Sequence, residues 1–126
     1  MYIKNFKTIV IKIGSSLLIN DKKTIRKKWL SEFSKDVKNL LNDKKNVIIV
    51  SSGAIALGCK KLNLNKKKLK LDKSQSIASI GQIELMNLYQ NVFEKLKIKI
   101  SQILLTLDDT EQRRRSINAR RTIDNL

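Results

Sequence analysis

The sequence predicts an α/β protein built on an open, mainly parallel sheet with helices on both faces. Three observations carry that prediction. Two short β-branched runs, "TIVIKI" at 8–13 and "NVIIVS" at 46–51, each give way abruptly to glycine and serine. Such near-continuous apolar runs suit strands buried on both faces. Between and after them, apolar residues recur every three or four positions, the period of helices that cover a sheet. The resulting order of strand, helix, strand, helix, helix, strand, helix calls for parallel strands joined by right-handed crossovers.

Each element has its own justification. Residues 8–13 read as a fully buried strand ended by Gly14-Ser15-Ser16. Residues 24–41 place Ile25, Trp29, Phe33, Val37, Leu40 and Leu41 on one helical stripe, with Thr24 as N-cap and lysines outside. The second strand, 46–51, is followed by a short helix over 53–62. Residues 63–73 hold five lysines and read as an exposed loop. A longer helix over 74–96 carries Ile77, Ile80, Leu85, Met86, Leu88, Tyr89, Val92, Phe93 and Leu96. Residues 98–106 alternate and then turn wholly apolar, which predicts a third strand. The segment 109–126 reads as a helix, with Asp108, Asp109 and Glu111 at its positive end and five arginines after them. Three such hydrophobic strands make a thin sheet, so a further strand is expected after residue 126.

A chain of 126 residues can bury roughly 65–70% of its unfolded surface, enough for a core. No repeat or Pro-rich linker divides it, so residues 1–126 read as part of a single domain with no second domain. The formal net charge of +16, from 27 Lys and Arg against 11 Asp and Glu, raises the question of nucleic acid. The lysines are spread along the whole chain, however, and none of the six aromatics is interleaved with a basic run. The charge therefore reads as compositional drift, and nucleic acid as a disfavoured partner, although the same field steers an anionic substrate. Cys59 is the only cysteine, which excludes an intramolecular disulfide and fits a reducing compartment. Lys12 interrupts the N-terminal apolar run too early for a signal sequence, and no stretch reaches the ~20 apolar residues of a membrane span. A cytoplasmic chain without a membrane partner is expected.

The chemistry concentrates at the two turns. In open parallel sheets, ligands bind at the carboxyl ends of the strands. Ser51, Ser52 and Gly53 lead into a helix whose first N–H groups lack intrahelical partners and favour an anion. Gly53 lets backbone approach a ligand closely. Ordinary helix capping by serine explains the same residues equally well. Lys12 sits in the first strand, two residues before Gly14, where an unpaired buried ammonium would cost several kcal/mol. A phosphate held by Lys12 and the Gly-Ser-Ser backbone would satisfy it, as would an edge-strand lysine snorkelling into water. No Walker A loop occurs, since here the lysine precedes the glycine. Together the turns point to phosphoryl transfer, which needs chiefly positioning and charge neutralisation. Histidine is absent, excluding His-based acid–base or metal chemistry, and Cys59 reads as a packing residue.

The stretches "IVIKIGSSLL", "VIIVSSGAIALG", "IASIGQIELMNLYQNVFEKLKIKISQILLT" and "DDTEQRRRSINARRTIDNL" resemble, in order and spacing, the N-terminal half of the glutamate 5-kinase family, within the amino acid kinase superfamily. The resemblance covers residues 8–126. It implies an α/β/α sandwich, incomplete in this chain. It also implies an ATP- and Mg²⁺-dependent kinase acting on the side-chain carboxylate of L-glutamate. The product, glutamyl 5-phosphate, belongs to the first step of proline biosynthesis, with proline as feedback inhibitor and a homo-oligomer in full-length members. Lys12 matches the family's catalytic, ATP-contacting lysine, and Gly14 and Ser15 share its ATP-binding loop. Ser52 matches the serine that binds glutamate, with backbone from Gly53 and Ala54 beside it. No metal ligand is assigned. Gly81-Gln82 also matches but reads as helix packing; Asn118 and Arg113, Arg114 and Arg115 match and read as a solvated face or subunit contact.

The family's Asn- and Asp-rich glutamate motif is expected after residue 126. So are the adenine site, the metal site and a second catalytic lysine. The RNA-binding-type (PUA) domain of some members is not among these residues. This chain by itself is therefore expected to be catalytically incomplete. The alternatives are a truncated non-catalytic subunit and a basic nucleic-acid-binding module.

Overall fold

A computed structural model describes residues 5–20, 22–64 and 70–126. Its order is β1 (Thr8–Ile13), α1 (Ser15–Leu18), α2 (Lys27–Asn42), β2 (Asn46–Ser51), α3 (Ala54–Lys61), α4 (Leu71–Glu94), α5 (Leu107–Glu111) and α6 (Arg113–Asn125). The strands β1 and β2 pair in parallel, in register from Thr8↔Asn46 to Ile13↔Ser51. This is the α/β arrangement with parallel pairing that the sequence predicts.

Side chains alternate across the pleat, so this register sorts them into two faces. Ile9, Ile11, Ile13, Val47, Ile49 and Ser51 share the inner face. There Ile11, Ile13, Val47 and Ile49 pack against Leu18, Leu30, Val37, Leu57, Leu85, Tyr89 and Phe93. Val10, Lys12, Ile48 and Val50 share the outer face, where Val10 is 61% and Val50 51% exposed. The expectation of a strand buried on both faces is thus corrected. Among the described residues only one face is covered, and β1 alternates accordingly.

The core is closed by aromatic contacts between α2 and α4. Trp29 stacks on Phe33 with ring centroids 5.3 Å apart, and Phe33 meets Phe93 edge-on at 6.4 Å. Phe93 is 1% exposed; burying a side chain of that size contributes about 1.5–3 kcal/mol. The α3–α4 pair is set by two glycines. A Cβ on Gly58 would lie 2.2 Å from the Ile77 carbonyl oxygen, and one on Gly81 would lie 1.7 Å from that of Ala54. Close helix packing therefore explains Gly81, as its position in the sequence predicts. Lys61 pairs with Glu84 across the same two helices. Cys59 is buried within α3, a packing position.

Several boundaries differ from the sequence-based expectation for identifiable reasons. Thr24 does not cap α2. Its N–H is taken by Asn20 Oδ1 at 2.8 Å in a turn closed by the Ile19↔Ile25 bridge, and the helix starts three residues later. The helix α4 begins at Leu71, so 71–73 are not loop; of the loop expected at 63–73, residues 65–69 lie outside the described residues. Residues 98–106 form no strand. A strand exists only through bonds to a neighbour, and the described sheet holds β1 and β2 alone. The segment instead leaves Leu104 73% and Leu105 49% exposed. The helix expected over 109–126 is two helices, because Gln112 adopts an extended conformation between them (φ −79°, ψ 119°). The first is started by Asp109, whose Oδ2 accepts from the Thr106 N–H at 2.8 Å and the Thr106 hydroxyl at 2.7 Å. Among the described residues, no helix is long and apolar enough to cross a membrane.

Candidate functional site

Parallel pairing brings the carboxyl ends of β1 and β2 to one edge of the sheet. Beyond the last register pair, Ile13↔Ser51, the Ser52 N–H still donates to the Ile13 carbonyl at 3.0 Å. The chain then enters α1 through Gly14 and α3 through Gly53. The two turns touch. A Cβ on Gly53 would stand 3.1 Å from Leu18 Cδ1 and 3.9 Å from Ser15 Cα. Gly53 also has φ +136°, a conformation that side-chain-bearing residues rarely adopt. Glycine is therefore required there by conformation, while the space is tight only against the movable end of Leu18.

Gly14 is a different case. Its φ of −76° and ψ of 154° suit any residue. A Cβ on it would meet nothing nearer than Ser16 Oγ at 4.0 Å. Neither backbone strain nor internal packing demands a glycine at this position. Open space next to the first, unpartnered amides of α1 is what a phosphate cradle requires.

The side chains around this edge fall into two sets. Ser52 is exposed, and its hydroxyl donates to the Ile13 carbonyl oxygen at 3.5 Å, at the limit of hydrogen bonding. Ser51 points to the core side and its Oγ meets the Tyr89 hydroxyl at 2.8 Å. Burial pushes the Tyr89 phenol above its ordinary value, while the Ser51 hydrogen bond pulls it the other way. Tyr89 therefore stays neutral. Lys12 is exposed on the outer face, beside Val50 in register. Among the described residues it has no ion-pair partner. The lysine thus stands on an open face, as the snorkelling alternative describes, and is not a buried ammonium.

The structure thus gathers Gly14, Ser15, Ser52, Gly53 and Ala54 at one edge and sets Lys12 one residue before that edge on the outer face of β1. The Tyr89 contact is not visible in the pattern of the sequence, where Tyr89 is one member of an apolar stripe. The usable signal is a phenol in a stripe otherwise composed of residues without a polar tip, since a buried tyrosine seeks a partner for its hydroxyl.

The space at Gly14 and the free amide ends fit phosphate groups. A metal ion is not matched in the same way: among the described residues, no three His, Cys, Asp or Glu side chains converge.

A parallel α/β edge with two glycine turns places free backbone amides at the carboxyl ends of the strands, where ligands of open α/β sheets bind. The chain belongs to the amino acid kinase family, whose model matches residues 7–126. It is 71% identical over 126 residues to a glutamate 5-kinase from Pelagibacter ubique, covering all of this chain and 34% of that protein. It is 47% identical over 127 residues to the glutamate 5-kinase of Nitrobacter hamburgensis, with the same coverage. The glutamate 5-kinase of Bartonella henselae is 49% identical over 122 residues, 97% of this chain and 32% of that protein. The chain thus spans about a third of the length of these relatives.

Proposed function

We propose that this chain forms the phosphate- and substrate-binding edge of an ATP-dependent kinase that phosphorylates the side-chain carboxylate of L-glutamate. Residues 1–126 would be the first part of a single amino acid kinase domain. The observation that carries this reading is Gly14, a glycine that the chain's own geometry does not require, placed beside a second turn where glycine is required. The identity to glutamate 5-kinases supports glutamate as the substrate.

When bound, ATP supplies the phosphoryl group and the ADP leaving group. The chain's residues do the positioning. Gly14 leaves room for phosphate oxygens, and the Ser15 amide at the start of α1 donates to them. The Lys12 ammonium, without an ion-pair partner among the described residues, neutralises charge on the group in transfer. Ser52 donates its hydroxyl to the glutamate, and the Gly53 and Ala54 amides at the start of α3 hold a carboxylate. A carboxylate oxygen of glutamate then forms the new P–O bond as the bond to ADP breaks. Mg²⁺ accompanies ATP, and its ligands are sought outside the described residues. The reading extends to a cytoplasmic enzyme of proline biosynthesis, a homo-oligomer inhibited by proline.

The test uses the chain carried on to the full length of its relatives. Trapping with hydroxylamine should yield glutamyl hydroxamate only when ATP and glutamate are both present. Lys12→Ala should lower kcat by about 10²–10³, the cost of removing one charge-stabilising donor, without lowering Tm. Retained activity in that variant would remove Lys12 from the mechanism, and absence of hydroxamate would remove glutamate as substrate.

A further inference from the structure

We propose that Tyr89 is a positioning residue for the substrate turn, acting through Ser51 to orient the Ser52–Gly53 peptide. The proposal rests on reading that turn as the glutamate-binding edge.

Tyr89 lies in the last two turns of α4, 5% exposed, its ring stacked on Phe93 with centroids 6.3 Å apart. The ring belongs to the core, but the hydroxyl reaches Ser51 Oγ at 2.8 Å, at the end of β2. Ser51 Oγ also lies 3.2 Å from the Ser52 carbonyl oxygen, to which it donates. A serine hydroxyl has one proton and two lone pairs. With its proton on the Ser52 carbonyl, Ser51 accepts from Tyr89. The arrangement that makes both bonds at once is Tyr89 O–H to Ser51 Oγ, and Ser51 O–H to the Ser52 C=O. A phenol kept neutral by burial suits the donor role.

The last acceptor is what gives the chain of bonds a function. A peptide unit is planar, and in the trans form its N–H points opposite to its C=O; there are no cis bonds here. Holding the Ser52 carbonyl toward Ser51 therefore directs the Gly53 N–H to the opposite side. That amide is one of those assigned above to the substrate. Gly53 has no Cβ and sits at φ +136°, so the preceding peptide has little of its own to resist rotation. The Tyr89–Ser51 link supplies that resistance from a rigid helix in the core.

Steady-state kinetics of the full-length kinase test this. Tyr89→Phe keeps the ring and its stacking and removes only the donor. It should raise KM for glutamate about three- to tenfold, the size of one neutral hydrogen bond, with KM for ATP and Tm unchanged. Ser51→Ala should do the same, Ser51→Thr should restore the parent value, and the Tyr89→Phe/Ser51→Ala pair should be non-additive. An unchanged glutamate KM in Tyr89→Phe, or equal losses toward both substrates with a fall in Tm, overturns the proposal. Ser52→Ala separates the two levels. If it raises the glutamate KM while Tyr89→Phe does not, the positioning role alone is wrong. If Ser52→Ala is also silent, the substrate turn itself has been misassigned.

Discussion

The part of the chain up to Glu94 and the part from Lys99 onward treat their apolar residues in opposite ways. In the first, Ile13, Leu18, Leu30, Leu57, Leu85 and Phe93 are all buried, each against partners from other elements. In the second, Leu104, Leu107 and Leu126 are each more than 70% exposed, and neither α5 nor α6 buries a residue. Residues 99–107 alone hold five Ile and Leu in nine positions, so hydrophobicity by itself does not separate the two parts. Partners do. The first part supplies its own, through a parallel strand pair and two helices in backbone contact. The second is held by local bonds, chiefly the Thr106–Asp109 box and the pairing of Arg115 with Asp108 and Asp109 at 3.8 and 4.0 Å.

The contrast can be broken most severely at the α3–α4 crossing. Alanine is a better helix former than glycine by about 1 kcal/mol, so propensity alone has Gly81→Ala stabilising the chain. The Ala54 carbonyl at 1.7 Å from the added Cβ reverses the sign, because backbone cannot step aside. Urea denaturation should show a loss of about 3 kcal/mol, at the upper end for overpacking. A neutral or stabilising result would mean that the helices are not in such close contact.

A smaller effect is expected in the second part. Leu104→Ser and Leu107→Ser should each change the stability of this chain by no more than about 0.5 kcal/mol, as for surface positions. A loss above 2 kcal/mol in the same denaturation experiment would show that these leucines have partners after all. The smallest effect is local. Asp109 is held below its ordinary carboxylate value by the Thr106 backbone N–H, then by the Thr106 hydroxyl, with Arg115 contributing. A lowered folded value means that its contribution is present above the ordinary carboxylate pKa and disappears as pH falls through the lowered one. Amide exchange at Leu107–Glu111 should therefore rise only in acid. The exchange of α3 and α4 should stay the same over that range.

Legibility from sequence followed the same division. The strands β1 and β2, the amphipathic α2 and the tight packing at Gly81 were readable, because period and residue type specify them locally. The two glycine turns were readable as turns; that they meet, with Gly53 against Ser15, was not. Lys12 was legible as an anomaly in an apolar run, with a phosphate partner and exposure to water left as alternatives, since a run of β-branched residues reads alike whether one or both faces are covered. The cap at Thr24 failed because the Asn20 N–H occupies its carbonyl across a turn, where an N-cap carbonyl would accept the first helical bond. Gly58 gave no signal apart from Gly81, since each explains the other only once the helices cross. The strand expected at 98–106 failed for a different reason: its pattern describes a surface fit to be paired, and pairing is a property of the neighbour.

By itself, the order of residues determined which segments can be strand or helix, where the chain must turn, and the +16 charge that surrounds the turns. These depend on steric limits and periodicities acting over a few residues. The tertiary structure decided which face of the sheet is covered, which glycine is needed by its neighbours and which is spare, and that a phenol on α4 reaches a hydroxyl on β2. Each of those is a relation between residues dozens of positions apart, and no local pattern encodes a distance.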